Sequence, residues 1–186
     1  RAGGYRLPGR DGLFQAPRPA AAGLARHRRA PDRGGQGGGV VHAHPATAIA
    51  LSIAGYDLHT CLIPEVIVLL GVIPTLPYAT PSSDENIMLI GRLIHQHDAM
   101  MLSYHGSLTV AKTVWDAYLR LESLEHNARI ISMVQQLGGA KTRLEHSHIE
   151  KLLAIRERLG LLKSGDRETI YGFADSTRAV NKQFTS

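Results

Sequence analysis

"GVVHAHPATAIALSIAG", Gly39 to Gly55, is the stretch on which the reading of this chain turns. "GVVHAH" reads as a short strand, "ATAIALSIA" as a helix with Pro45 in its first turn, and Gly55 as the C-terminal stop of that helix. His42 and His44 stand at the end of the strand. Residues i and i+2 of a strand point to the same face, so both imidazoles can converge on one point. The chain holds two more H-x-H pairs, His95/His97 and His146/His148. The first falls at the end of a predicted helix and the second at the start of another. Helical residues two apart do not share a face, so both pairs read as solvated polar surface.

A catalytic zinc site has three protein ligands and one open position. The best third candidate is His105, in "LSYHG", where a second predicted strand ends and Gly106 allows a tight turn and close approach. Strand ends on one edge of a sheet are where ligand sites gather in α/β folds. Spacing alone leaves two readings open: a His42–His44–His105 metal site, or two surface histidines and one satisfied histidine in a turn.

The rest of the chain past residue 39 alternates helix and strand signals. "CLIPEVIVLLG" is apolar and divided by Pro64, its second half readable as strand or helix. "VIPTLPY", Val72 to Tyr78, reads as a proline-broken strand at a sheet edge. "PSSDENIMLIGRLIHQH" opens with Ser82 and Glu85 spaced as a capping box, then shows helical spacing at Ile87, Ile90 and Ile94. "AMMLSYHG" reads as an alternating strand. A long helix is expected from about Val110 to Leu137, with Val114, Tyr118, Leu121, Ala128, Ile131 and Val134 as its apolar stripe and Gly138-Gly139 as its end. A final helix is expected over about Glu145 to Leu159. Tyr78, Tyr104 and Trp115 read as core or interface aromatics.

The first 39 residues differ in kind. Arg, Gly, Ala and Pro make up 29 of them. So few core-forming side chains do not offset ordering entropy, which predicts a largely disordered segment over 1–38 and a folded domain over 39–186. "GGQGGG", Gly34 to Gly39, lacks the lysine and the preceding strand of a phosphate loop. The segment also carries the charge: eight Arg against two Asp, where residues 40–186 hold 13 basic and 14 acidic residues. The overall +5 is therefore a tail property, not the basic face of a nucleic-acid-binding fold. One cysteine, Cys61, excludes an intramolecular disulfide. No apolar run approaches the roughly 20 residues of a membrane span, and no signal-type apolar core opens the chain, so the expectation is a cytoplasmic protein without membrane or nucleic-acid partners.

Three blocks together resemble the class II aldolase/adducin family, which includes L-fuculose-phosphate aldolase and L-ribulose-5-phosphate 4-epimerase: "VVHAHPATAIALSIAG", "VIPTLPYATPSSDE" and "AMMLSYHGSLTVAKTVWDAYLRLESLEHNARIISMVQQLGG". They cover about residues 39 to 139 in the family's order. The resemblance implies a three-layer α/β/α fold with a central mixed sheet, here N-terminally incomplete. It implies Zn²⁺ or another divalent metal on His42, His44 and His105. It implies aldolase-type carbon–carbon lyase chemistry, or a related epimerisation or decarboxylation, on a small sugar phosphate or sugar acid, in a homotetramer. In such a site the ion polarises the substrate carbonyl and stabilises the enediolate left by bond cleavage.

The chain departs from the family upstream of the histidines. Family aldolases carry a glutamate, the general acid/base, some twenty residues before the H-x-H, in a serine-rich loop that helps hold the phosphate. Here no glutamate precedes Glu65 and no serine precedes Ser52. Asp32 is a poor replacement, and Glu65 reads as structural. Some members use a tyrosine from a neighbouring subunit's tail as an acid; Tyr171, in "IYGF", is a weak candidate and reads more simply as a packing residue. A non-catalytic, adducin-like scaffold is the alternative reading. The composition of residues 1–39 matches a GC-rich gene read out of frame, and the expectation is that a single-base shift near codon 39 restores the missing loop and glutamate.

Overall fold

The computed structural model describes residues 38–58 and 62–180, with side chains through residue 175. The expectations for residues 1–37, including Asp32 and the disorder of that segment, and those for Cys61 lie outside the described residues. Among the described residues the chain runs β1 (Gly39–Ala43), α1 (Ala46–Ile53), α2 (Pro64–Leu69), β2 (Thr75–Leu76), α3 (Asp84–Leu93), β3 (Ala99–Leu102), β4 (Gly106–Ala111), α4 (Val114–Gln136), α5 (His146–Arg158) and α6 (Asp166–Val180).

The strands form a four-stranded mixed sheet in the order β1-β4-β3-β2. β4 pairs antiparallel with both β1 and β3, and β2 lies parallel to β3. β2 is two residues long and stands at the edge, as the prolines of "VIPTLPY" lead one to expect. All four residues of β3 are buried, so the alternation expected for "AMMLSYHG" is not what the strand shows. The reason is a layer on each face. Ala99 and Met101 join Ala48, Leu51, Val66, Leu70, Leu124, Ala128 and Ile131 beneath α1, α2 and α4. Met100 and Leu102 join Leu76, Leu108 and Ile90 of α3 on the opposite face. The expected three layers are thus present, with helices on both faces of a central sheet.

Four local expectations are corrected. The long helix begins at Val114, not about Val110; residues 106–111 form β4, a strand central to the sheet. Its start is set by Thr113, whose Oγ1 accepts from the Asp116 amide at 3.0 Å and donates to the Asp116 carboxylate. Its buried positions are Ala117, Leu124, Asn127, Ala128 and Ile131, while Val114 and Tyr118 of the expected stripe are exposed. The cap of α3 is Ser83, not Ser82: Ser83 Oγ accepts from the Asn86 amide, and Ser82 lies outside the helix with φ of 66°. The helix over 146–158 is not the last, because α6 follows Gly165, whose φ is +82°. Tyr78, Tyr104 and Trp115 are exposed and none is in the core. The ambiguous "PEVIVL" is helix α2, with Glu65 exposed in its first turn.

α5 and α6 attach through Ile149, Leu153 and Ile170, packed on Ile67 and Val72. Arg156, 1% exposed, reaches from α5 to Asp166, Asp98 and the Val68 carbonyl. Asp98, just before β3, also receives Arg120 and Lys163.

Candidate metal centre

β1 delivers His42 within the ladder, opposite Leu108, and His44 stands one residue past the strand's end. His105 sits in the turn from β3 to β4, closed by its own amide bonding the Leu102 carbonyl at 3.0 Å. Tyr104 takes the left-handed conformation that this turn needs, with φ of 61°. Because β4 lies between β1 and β3, the turn that carries His105 meets the end of β1.

The three imidazoles form a closed triangle, with ring centroids 5.0 Å apart on every side. One nitrogen from each lies within 4.8 Å of the others. This is the only such group of three or more His, Cys, Asp or Glu among the described residues. The other H-x-H pairs do not converge with it. His95 and His97 lie in the turn after α3, and His146 rests against Tyr171 and Asp175. His97 is half-buried rather than solvated; burial, then Lys163, pushes its pKa below the ordinary value.

Donor roles in the triangle follow from the neighbours. The Ser107 carbonyl can only accept, so at 2.9 Å it fixes the proton of His42 on Nδ1 and leaves the Nε2 lone pair free. His44 Nε2 lies 3.2 Å from that atom. Two imidazole nitrogens each about 2.0–2.1 Å from a tetrahedral ion stand roughly 3.3 Å apart, so the pair is spaced as co-ligands are. His105 Nδ1 is buried and has no hydrogen-bond partner among the described residues. Burial pushes the pKa of His42 below the ordinary value, partly countered by the Ser107 carbonyl and reinforced by His105 and His44. Burial, then His44, does the same for His105. Neutral imidazoles with free lone pairs are what a divalent metal binds, so the donor set fits such an ion.

Gly106 makes the close approach possible. A Cβ there would lie 2.5 Å from the Ala43 carbonyl oxygen, 2.8 Å from His44 Cδ2 and 3.2 Å from His42 Cε1. Any side chain at 106 would occupy the space that the histidines fill.

Tyr171 belongs to the α5–α6 pair: its hydroxyl donates to Glu150, and the bond to that carboxylate raises its pKa. Glu125, absent from the sequence-based candidates, is bonded to the first turn of α1, which starts two residues after His44. It accepts from the amides of Thr47 and Ala48 and from Thr47 Oγ1. Those partners are 77 and 78 residues away in sequence, so no local pattern marks it.

The sequence matches the Class II Aldolase and Adducin N-terminal domain over residues 5–132, and the chain belongs to that family. The match begins inside the Arg/Gly/Ala/Pro-rich segment. Among curated relatives, 3-oxo-tetronate 4-phosphate decarboxylase of Escherichia coli O6:H1 is 28% identical over 96 residues, covering 50% of this chain and 45% of the relative. Rhamnulose-1-phosphate aldolase of Mannheimia succiniciproducens is 26% identical over 136 residues, covering 69% and 49%. The crystal structure of YgbL from Escherichia coli superposes with a TM-score of 0.54 at 26% identity, covering 61% of this chain and 56% of that one. The chain thus spans about half the length of the curated relatives it matches.

Proposed function

We propose, from membership of the class II aldolase/adducin family, that this chain carries the metal-binding half of a carbon–carbon lyase acting on a sugar phosphate or related sugar acid. The observation that supports this is the His42–His44–His105 triangle, with spacing and tautomer suited to one divalent ion. The relatives named as an aldolase and a decarboxylase of phosphorylated substrates support that substrate class. Zinc, with three neutral ligands, would supply Lewis-acid polarisation of a carbonyl oxygen.

The protein's own part is to hold the rings. The Ser107 carbonyl orients His42, the β3–β4 turn presents His105, and Gly106 leaves the approach open. No glutamate precedes the triangle in the sequence, so proton transfer lacks its expected carrier. General acid–base help is worth on the order of 10²–10⁴-fold, and turnover by the chain as it stands is correspondingly slow. The missing glutamate also favours the second reading, a non-catalytic scaffold.

The test is to add L-rhamnulose 1-phosphate to the zinc-loaded full chain and follow triose phosphate release. Slow release abolished by a chelator supports the lyase reading. Release that survives the chelator contradicts metal dependence, and a chain that purifies without stoichiometric metal supports the scaffold. We further propose cytoplasmic location and assembly into a homo-oligomer. Val114, Trp115, Tyr118 and Leu119 at the start of α4 are exposed, and light scattering showing a stable monomer contradicts the assembly. Among the described residues no helix is long and apolar enough to cross a membrane.

A further inference from the structure

Helix α1 starts two residues after His44 and has no cap of its own. Its N-cap is Pro45, no side chain there accepts from the first-turn amides, and its first turn holds no acidic residue. A helix start leaves four amides without intrahelical partners. Two of those here are satisfied from another helix: Glu125 Oε1 accepts from the Thr47 amide at 3.2 Å, and Oε2 from the Ala48 amide at 3.1 Å. Thr47 Oγ1 donates to Oε1 at 2.7 Å, and Arg129 donates to the same atom from one turn along α4.

We infer that Glu125 is a positioning residue for the metal centre, holding His44 by capping α1 across the fold. Two residues, Pro45 and Ala46, link the ligand His44 to the anchor Thr47. Pro45 stiffens that link, since its ring fixes φ, here −69°. α4 is itself tied to the sheet that carries the other two histidines, through Thr109 Oγ1 bonding the Ala117 carbonyl in β4's shadow and through Arg120 on the Val110 carbonyl. One carboxylate therefore sets the segment leaving His44 against the frame that carries His42 and His105. Both oxygens of Glu125 already accept hydrogen bonds from the protein, which suits holding rather than proton transfer.

The inference rests on the metal reading above, and the experiment separates the two. Zinc affinity of the full chain is measured by chelator competition for wild type, Glu125→Ala, Glu125→Gln and Ser83→Ala, with thermal unfolding of each apo-protein alongside. Ser83→Ala removes the cap of α3, which packs on the opposite face of the sheet from α1, and serves as a stability control. Removal of groups that orient ligands costs about 10–100-fold in metal affinity. Glu125→Ala is expected to weaken zinc by about tenfold or more, Glu125→Gln by less because one acceptor oxygen remains, and Ser83→Ala not at all, although both alanine variants unfold at lower temperature. Wild-type affinity in Glu125→Ala overturns the inference. If the wild type takes up no zinc, the metal reading fails, and the inference is decided on the apo-protein by the ring-proton NOE between His42 and His44. Its loss in Glu125→Ala with retention in Ser83→Ala upholds positioning; its retention in both overturns it.

Discussion

Strand β3 begins beside Asp98, whose carboxylate receives Lys163 at 2.7 Å and Arg120 and Arg156 at 3.1 Å, and it leads into the turn of His105, whose buried Nδ1 receives nothing. At the first end, buried charges from α4, α5 and the loop before α6 meet their opposites, and Asp166 takes the other side of Arg156. At the second end, three imidazoles crowd together with no carboxylate or cation among them. Buried charge is tolerated when it is paired, so the ion pairs around Asp98 are explained by the fold alone. At the histidine end burial disfavours charge on His42 and His105, and among the described residues the buried Nδ1 of His105 has no hydrogen-bond partner.

This contrast makes opposite predictions for mutations at the two ends. The largest effect is expected from Arg156→Ala, which leaves Asp166 and part of Asp98 buried without a counter-charge. Removing one partner of a buried pair costs about 3–5 kcal/mol. Urea unfolding should show a loss of that order, while the folded fraction keeps its zinc. A variant as stable as wild type would mean that the network is not what holds α5 and α6 to the sheet.

Next comes Gly106→Ala. Its methyl group collides with the Ala43 carbonyl and the rings of His42 and His44. Overpacking costs about 1–3 kcal/mol, but the site should suffer more than the fold. Zinc binding is expected to fail in a chain whose far-ultraviolet circular dichroism remains native. Undiminished zinc binding would show that the rings do not need the space that Gly106 leaves.

A smaller effect is expected from acid. Burial raises the pKa of Glu125, but the bonds from Thr47, Ala48 and Arg129 outweigh it and hold the carboxyl below its usual value of 4.5. The unfolded chain then binds the proton first, so this contribution is complete well above pH 4.5 and fades as pH falls through the lowered value. Apo-protein unfolding followed from neutral to acid pH should be steeper for wild type than for Glu125→Gln. Parallel curves would place the acid sensitivity elsewhere.

How much of this was legible in advance follows the same division. The H-x-H at a strand end and His105 before a glycine are local patterns, and the structure brings those three residues together. The edge position of β2 followed from its prolines. What stayed hidden depends on distant contacts. β4 starts directly at Gly106 after the His105 turn, and the expected helix absorbed its last two residues; the Thr113–Asp116 pair is the cap signal that separates strand from helix. With the start misplaced, the expected stripe of α4 took in the exposed Val114 and Tyr118 in place of Ala117, while its Ala128 and Ile131 are buried. β3 lost its alternation because helices cover both faces, which one strand's sequence does not announce. α6 depends on Asp166 meeting Arg156, and Glu125 acts across 77 residues.

The central claim is that the triangle is a metal site, and zinc stoichiometry of the purified full chain tests it most directly, with His44→Ala alongside. His44 is exposed and is not part of the core, so its replacement should leave the fold intact. The account predicts one zinc per chain in wild type and none in His44→Ala. Equal zinc content in the two proteins, or none in wild type, would contradict it.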